Sequence, residues 1–389
     1  MSDSVRTIRD IAIGVYDGPH ATPELHEEGA AVFLGIPNIS ADGRIDLATA
    51  RWVADRDLPR WNRRVTPQAN DIVFTYEATL NRYAIIPDGM SFTLGRRTAL
   101  IRPDPEKIDY CYLFYYFFAP RWRAQIEAKT MTGATVDRIP LTNFPGFEIF
   151  VPSLGEQRRI AAVLFAYDDL IATNQRRIAL LEDAARRLYR EWFVHLRFPG
   201  HETVTVVDGV PEGWARKTLG QIAPLKYGRA LKATERKDGQ VPVYGSSGVV
   251  GNHDRALVDG CAIVVGRKGN VGSLYFSPEP CFPIDTVFFI DPEASTFYLL
   301  QALSNLNFIS SDAAVPGLNR NYAHLLSLLV PAGEVAASFE TLVAPLYSQA
   351  FQLERQKKKL ARARDALLPK LMSGQLDVSG IPLPQPEAA

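Results

Sequence analysis

From Ile160 onward the apolar positions of the chain recur in steps of four and three: Ile160, Leu164, Tyr167, Ile171, Asn174, Ile178, Leu181, Ala185, Leu188 and Trp192. That spacing is a heptad seam, the pattern of helices that pair with one another rather than of a helix lying on a sheet. It predicts one long helix within Val151–Phe193, with a polar residue, Asn174, set into the seam. A second helical pattern runs from Val330 to Met372 and keeps its seam best late, at Leu353, Leu360, Leu367 and Leu371, with Gln356 and Ala363 between them. Pro345 predicts a kink in its early part, because proline removes a backbone donor and crowds the preceding turn. Helices of about 40 residues are roughly 60 Å long. Two of them with matching seams pair most simply with each other, and antiparallel if they belong to copies related by a two-fold.

The two stretches are copies. Both open on Val-Pro and continue with Gly-Glu, both carry basic residues in their second halves, and both end in a bulky apolar cluster. Thr7–Ala12 (TIRDIA) echoes Thr218–Ala223 (TLGQIA), and Thr132–Arg138 (TGATVDR) sits before the first Val-Pro as Pro316–Arg320 (PGLNR) sits before the second. The organisation is therefore domain, helix, domain, helix. We expect a globular domain over 1–150, a helix over 151–197, a linker over 198–213, a second globular domain over 214–329, a second helix over 330–377 and a disordered Pro-rich tail over 378–389. The globular parts read as mixed α and β. Buried strands are expected at Asp71–Thr75, Arg97–Ile101, Ala262–Gly266 and Thr286–Ile290, and helices at Tyr110–Lys129 and Ala294–Asn305. The expected class is α+β: two mixed domains joined by two long antiparallel coiled-coil helices in a pseudo-two-fold tandem repeat.

Composition narrows the function mostly by exclusion. The 389 residues carry 43 basic and 43 acidic side chains, so any polyanion partner must be met by local patches rather than by net charge. Three cysteines, Cys111, Cys261 and Cys281, make neither a disulfide framework nor a metal-ligand spacing. The opening MSDSVRTIRD has no signal-peptide core, and the most apolar run, Cys111–Ala119, is too short for a bilayer, so a cytoplasmic protein is expected. The sequence has no phosphate loop ending in Gly-Lys-Ser/Thr, no GxGxxG and no Asn/Asp-Pro-Pro-Tyr/Phe methyltransferase tetrapeptide. Asp104 with Glu127 and Lys129 loosely fits the carboxylate-and-lysine set of Mg-dependent nucleases. Glu127 and Lys129 fall on a helical pattern and Asp104 in a Pro-rich turn, so a single-chain Mg-dependent endonuclease, or the recognition half of another such DNA-cleaving system, is only the runner-up.

The polar loops carry more. In the second domain Tyr244–Gly248 (with Ser246 and Ser247), Gly266–Gly272 (with Arg267, Lys268 and Asn270) and Pro316–Asn321 (with Asn319, Arg320 and Asn321) combine glycine with side chains suited to base edges. Glycine lets the backbone come close, arginine reads guanine with two hydrogen bonds, and asparagine reads adenine. Lys226, Arg229 and Lys232 are candidates for phosphate. The corresponding places in the first domain hold Asn38, Tyr76, Asn81, Arg82, Thr132 and Arg138. The basic run Arg355–Arg364 is read first as a solvated helix face.

Val151–Leu164 (VPSLGEQRRIAAVL), Asp168-Asp169, Asn174–Ile178 and Leu188–Phe193 resemble the central conserved region of the specificity subunits of type I restriction-modification enzymes. Pro211–Trp214 leading into KTLGQIA is similar to the opening of their second recognition domain, and Asp365–Leu376 to their distal conserved region. The resemblance spans essentially the whole chain. It implies two domains that each read half of a split DNA target and a helix pair that sets the gap. It implies two modification subunits, binding S-adenosylmethionine and methylating adenine, docked on the helices, with ATP-dependent restriction subunits joining them. This chain would bind no cofactor and catalyse nothing itself. Docking would fall to Glu156, Gln157, Arg158, Asp169, Asn174 and Arg177 on the first helix, and to Glu334, Arg355, Lys358 and Arg362 on the second. Two departures matter. Val335-Ala-Ala337 stands where the first helix has Gln157-Arg-Arg159, and Leu353 matches Asn174. The first domain also lacks a Gly-Arg-Lys-Gly loop, so the two halves should read different bases and the target should be asymmetric.

Overall fold

Thr7 and Thr218 begin the same small device. Each ends a four-residue strand and opens a one-turn helix, and each backbone N–H donates to the side chain three residues on, to Asp10 Oδ2 at 2.8 Å and to Gln221 Oε1 at 2.9 Å. This reciprocal capping satisfies donors that a short helix leaves open. The two strands, Ser4–Thr7 and Ala215–Thr218, pair antiparallel with Glu148–Val151 and Ser327–Val330, the strands that lead into the long helices. The computed structural model describes residues 4–132, 136–308 and 317–382. They fall into two compact units, one made of Met1–Ala172 with Lys357–Ala389, the other of Thr173–Gln356.

The sheets repeat strand for strand. Unit 1 has a four-stranded antiparallel sheet in the order Ala12–Asp17, Thr98–Pro103, Ile72–Thr75, Tyr83–Ile85, and a three-stranded sheet in which Ala31–Leu34 lies between Trp52–Val53 and Phe92–Leu94. Unit 2 has the same order with Lys226–Tyr227, Val287–Ile290, Ala262–Gly266 and Leu274–Ser277, and then Val241–Gly245 between Gly248–His253 and Phe282–Pro283. In each small sheet the central strand pairs antiparallel on one side and parallel on the other. The central strands Ile72–Thr75 and Ala262–Gly266 are buried at every position, and apart from Thr75 they are the apolar runs that a strand covered on both faces needs.

The expected strands are all present. The helix expected over Tyr110–Lys129 is two helices, Tyr110–Tyr116 and Pro120–Lys129. Pro120 cannot continue a helix but is pre-set to start one, so the chain turns there and drives Phe117 and Trp122 into the core. The helix expected over Ala294–Asn305 is Phe297–Ser304 with Thr296 as its N-cap.

The long helices run over Leu154–Tyr189 and Gly333–Met372, the first ending in a wider turn at Arg190–Val194. Pro345 does not divide the second. In unit 1 Ile160, Ala161 and Leu164 share a core with Leu368, Leu371 and Met372. In unit 2 Ile178 meets Ala350 and Leu353, while Tyr189, Trp192 and Phe193 surround Phe339. Rising numbers on one helix meet falling numbers on the other, so the pair is antiparallel within each unit. Every predicted seam position from Ile160 to Trp192 is buried or half-buried.

Two expectations about irregular chain are corrected. The linker is not loose: Phe198 and Trp214 are buried with ring centroids 4.9 Å apart, and Val206–Val207 and Val210–Pro211 form a hairpin between them. The start of the tail is also anchored. Val378 is buried in the unit 1 core and the Ile381 carbonyl accepts from Arg159 Nε at 2.8 Å. The rest of the expected disordered tail, 383–389, lies outside the described residues. None of the described helices is long and apolar enough to cross a membrane.

Candidate nucleic-acid interface

In unit 2 the central strand ends at Gly266 and the chain folds straight back. The Gly266 N–H donates to the Ser273 carbonyl at 2.7 Å, and a Cβ at Gly266 would lie 2.1 Å from the Asn270 carbonyl oxygen. Gly269 and Gly272 hold φ of 78° and 76°, the left-handed region that glycine enters at no steric cost. The Ser273 hydroxyl lies 2.8 Å from the Ser246 carbonyl oxygen, and the Tyr275 hydroxyl donates to that same oxygen at 3.2 Å. The Ser246-Ser247 turn and the Arg267–Asn270 loop are thereby held together.

The third predicted loop joins them through the backbone. Arg267 N–H donates to the Thr286 carbonyl at 2.9 Å, Leu318 N–H donates to the Arg267 carbonyl at 2.8 Å, and Lys268 pairs with Gly317. Asn319 then caps the helix Arg320–Leu325, its Oδ1 accepting from the N–H groups of Asn321 and Tyr322 at 2.8 and 3.2 Å. Its carbonyl end is thus spent locally. Ser246, Ser247, Arg267, Lys268, Asn270, Arg320 and Asn321 end up on one loop cluster with side chains half or fully exposed. Tyr227, which sequence reasoning missed, is at its centre: the guanidinium carbons of Arg267 and Arg320 both lie 4.9 Å from its ring centroid. Its neighbour Lys226 must point to the opposite face of the strand, and it pairs with Asp291 at 2.5 Å. Arg229 and Lys232 are exposed, on the segment that follows this strand.

The equivalent loops of unit 1 have the same backbone and different side chains. Tyr76 N–H donates to the Arg97 carbonyl at 3.3 Å, Ile139 N–H to the Tyr76 carbonyl at 2.8 Å, and Glu77 pairs with Arg138. Tyr76 and Glu77 therefore stand where unit 2 has Arg267 and Lys268. Two non-glycine residues, Ala78 and Asn81, take the left-handed conformation in this turn, at φ of 67° and 61°. Arg138 and Thr132 are exposed, and Arg82 is half-buried, its Nη1 donating to the Ile39 carbonyl at 2.9 Å.

Two of the expected contact residues in unit 1 are corrected. Asn38 is 6% exposed and fully engaged, its Oδ1 accepting from Gly35 N–H and its Nδ2 donating to the Asp46 carbonyl. It fastens a turn. Tyr76 is also internal, its hydroxyl donating to the Arg96 carbonyl at 2.8 Å. Burial and the nearby charges of Asp17 and Glu77 push that hydroxyl's pKa up to about 12.

On the helices, Arg158, Asp169, Arg177, Glu334, Arg355, Lys358 and Arg362 are exposed. Gln157, expected among the docking residues, is corrected: at 1% exposure it accepts from Asp109 N–H at 2.7 Å and donates to the Pro152 carbonyl at 2.8 Å, tying the long helix to the start of Tyr110–Tyr116. Unit 2 does the same job with Glu340, which accepts from the N–H groups of Phe297 and Tyr298 at 3.2 and 2.6 Å. Glu156 accepts from Ser153 in a capping box, and Asn174 is buried. Asp168, which the sequence reading left out of the docking set, receives a hydrogen bond from the Tyr115 hydroxyl at 2.7 Å and is ion-paired with Arg364. These groups line a cleft of about 360 Å³ in unit 1 with Phe114, Phe118 and Arg123.

Two of the three nuclease-like residues are engaged elsewhere, and the third, Glu127, is exposed on its helix. Asp104 is ion-paired with Lys107 at 2.8 Å, and Lys129 Nζ lies 4.4 Å from the Phe147 ring centroid. Among the described residues no three His, Cys, Asp or Glu side chains cluster to hold a metal ion.

Comparison with known proteins agrees with this architecture. The family model described as "Type I restriction modification DNA specificity domain" matches residues 22–183 and 211–321. The chain is similar to the Type I restriction enzyme MjaIX specificity subunit of Methanocaldococcus jannaschii, at 23% identity over 84% of this chain and 82% of that one. It is similar to the EcoprrI specificity subunit of Escherichia coli at 26% identity over 68% of each. Among solved structures, the type I S subunit from M. genitalium superposes with a TM-score of 0.61 at 19% identity, covering 95% of this chain and 96% of that one.

Proposed function

The chain belongs to the type I restriction modification DNA specificity family, and from that premise we propose that its two units each read one half of a split, asymmetric DNA target. One observation carries the reading. The two units share the strand order of their four- and three-stranded sheets and the backbone anchors of the central loop, yet that loop position presents Arg267-Lys268 in one and Tyr76-Glu77 in the other. One scaffold with two chemistries is what reading two different half-sites needs. Base contacts specify sequence, while backbone contacts only position the protein.

The chain reads and scaffolds rather than catalyses. Methylation of adenine, with S-adenosylmethionine, belongs to two modification subunits docked on exposed helix positions such as Arg158, Asp169, Arg177, Arg355, Lys358 and Arg362. ATP-dependent restriction subunits join that core. The helical segments shared by the units set the gap between half-sites, and linking two weak readers on one chain multiplies their specificity.

The test is adenine-methylation mapping of genomic DNA from cells that carry this chain with its neighbouring modification subunit. The expected result is a motif of two different short halves around a fixed gap, lost on deletion of the chain. Unchanged methylation on deletion would overturn the reading.

A further inference from the structure

Tyr227 lies on a two-residue edge strand and keeps 49% of its surface exposed, unusual for a ring with so many close neighbours. Arg267 lies 4.9 Å from its centroid and 5.6 Å from that of Phe288, while Arg320 lies 4.9 Å from Tyr227 on its own account. The Phe288 ring meets Tyr227 edge-on at 5.0 Å and fixes its tilt. One ring thus carries two guanidiniums, and they stand within about 10 Å of each other. Neither has an ion-paired carboxylate among the described residues. Arg267 Nη1 donates to the Asp285 carbonyl at 3.2 Å, and Arg320 Nε is buried without a partner. Two half-exposed like charges without a carboxylate between them leave the outer edges of their guanidiniums for acceptors that arrive from outside.

Unit 1 shows the contrast. On its equivalent strand Asp17 takes the place of Tyr227 and is ion-paired with Arg64, and Arg97 sits 3.8 Å from Glu77. There the arginines are already neutralised by the protein's own carboxylates.

We infer that Tyr227 is a specificity-determining residue of unit 2, which presents Arg267 and Arg320 as a pair to two guanines of its half-site; this rests on the DNA-reading function proposed above. A guanidinium stacked on a ring keeps its N–H fork in one plane, and the O6 and N7 acceptors of guanine match that fork in the major groove. At 3.4 Å per base-pair step, the separation allows neighbouring or nearly neighbouring base pairs. Tyr227 touches no base edge itself; it positions the two that do.

The experiment measures binding of the complete complex, this chain with its modification subunits, to duplexes bearing its mapped target. Each guanine is replaced in turn by 7-deazaguanine, which lacks the N7 acceptor. Wild type is expected to lose roughly 5- to 150-fold at two positions of the half-site that unit 2 reads. Arg267→Gln and Arg320→Gln should each become indifferent at one of them. Tyr227→Phe should behave as wild type and Tyr227→Leu should lose discrimination at both. A target without guanine, or insensitivity of wild type to every replacement, would overturn the inference, and neither result depends on a variant folding. Arginine variants that weaken all duplexes equally and flatten the salt dependence would overturn it in favour of a phosphate clamp. Absence of any sequence preference in the wild-type complex would overturn the DNA-reading function itself.

Discussion

Arg364, near the end of the second long helix, is ion-paired with Asp168 of the first, and the Tyr115 hydroxyl donates to the same carboxylate. Arg364 and Asp168 keep 22% and 31% of their side-chain surface, so the pair is shielded but not sealed. Burial of the Tyr115 hydroxyl and the charge of Asp168 push its ionisation well above the ordinary tyrosine range, so it remains a donor at any working pH. Breaking one partner strands the other. Arg364→Ala should cost about 1–2 kcal/mol and lower the melting of unit 1 by roughly 2–8 °C. The double variant with Asp168→Ala should recover part of the loss in a calorimetric double-mutant cycle.

Gln157 bears on stability rather than docking. Gln157→Ala leaves the Asp109 N–H and the Pro152 carbonyl without their buried partner. It should cost about 1–3 kcal/mol in urea unfolding, with unchanged affinity of the folded chain for modification subunits. A normal midpoint with weakened assembly would contradict this.

The unit 2 loop has no room for a side chain at its first residue. A Cβ at Gly266 meets two oxygens, of Asn270 and Ser273, at 2.1 and 2.3 Å. Gly266→Ala should displace the Arg267–Asn270 loop and abolish reading of one half-site. Methylation mapping should then show the other half still specified.

His324 makes unit 2 sensitive to acid. Its Nε2 accepts from the Leu225 N–H at 2.9 Å, which requires the neutral ring. Burial, and then the charge of Arg320, hold its pKa below the usual 6.5. The unfolded chain therefore binds the proton more readily than the folded one. The stabilisation is complete above about pH 6.5 and is lost as the pH falls through the lowered value. Unit 2 should lose stability below that pH, and His324→Gln should flatten the slope in unfolding titrations.

The helical segments offer a test of spacing. Adding one heptad to each long helix lengthens it by about 10 Å, roughly three base pairs at 3.4 Å each. The methylated motif should keep both halves and gain about three bases of gap. An unchanged gap would remove the helices as its determinant.

What the sequence revealed follows from what repeats along it. The seam from Ile160 to Trp192 was legible because period is a property of one segment, and the strands because Ala262–Gly266 and Ile72–Phe74 are runs without a polar side chain. The loops of unit 2 were legible because glycine beside Arg267 and Lys268 is itself a signal. Gln157 was not, since a polar residue on a helix start reads as exposed until Asp109 and Pro152 are seen around it. Asn38 failed for the same reason. Tyr227 carried no local mark at all. Its meaning comes from Arg267 and Arg320, which only the fold brings to one ring.

Unit 1 is assembled from both ends of the chain, while unit 2 is one uninterrupted segment. Translation therefore completes the sequence of unit 2 before it reaches Leu368, Leu371, Met372 and Val378, which finish the core of unit 1. The domain begun first is completed last. Until the final residues emerge, Ile160 and Leu164 face water on the side those residues will cover. Premature termination between residues 356 and 368 leaves a complete unit 2 attached to an unfinished unit 1, with an apolar wall open to aggregation or to quality control.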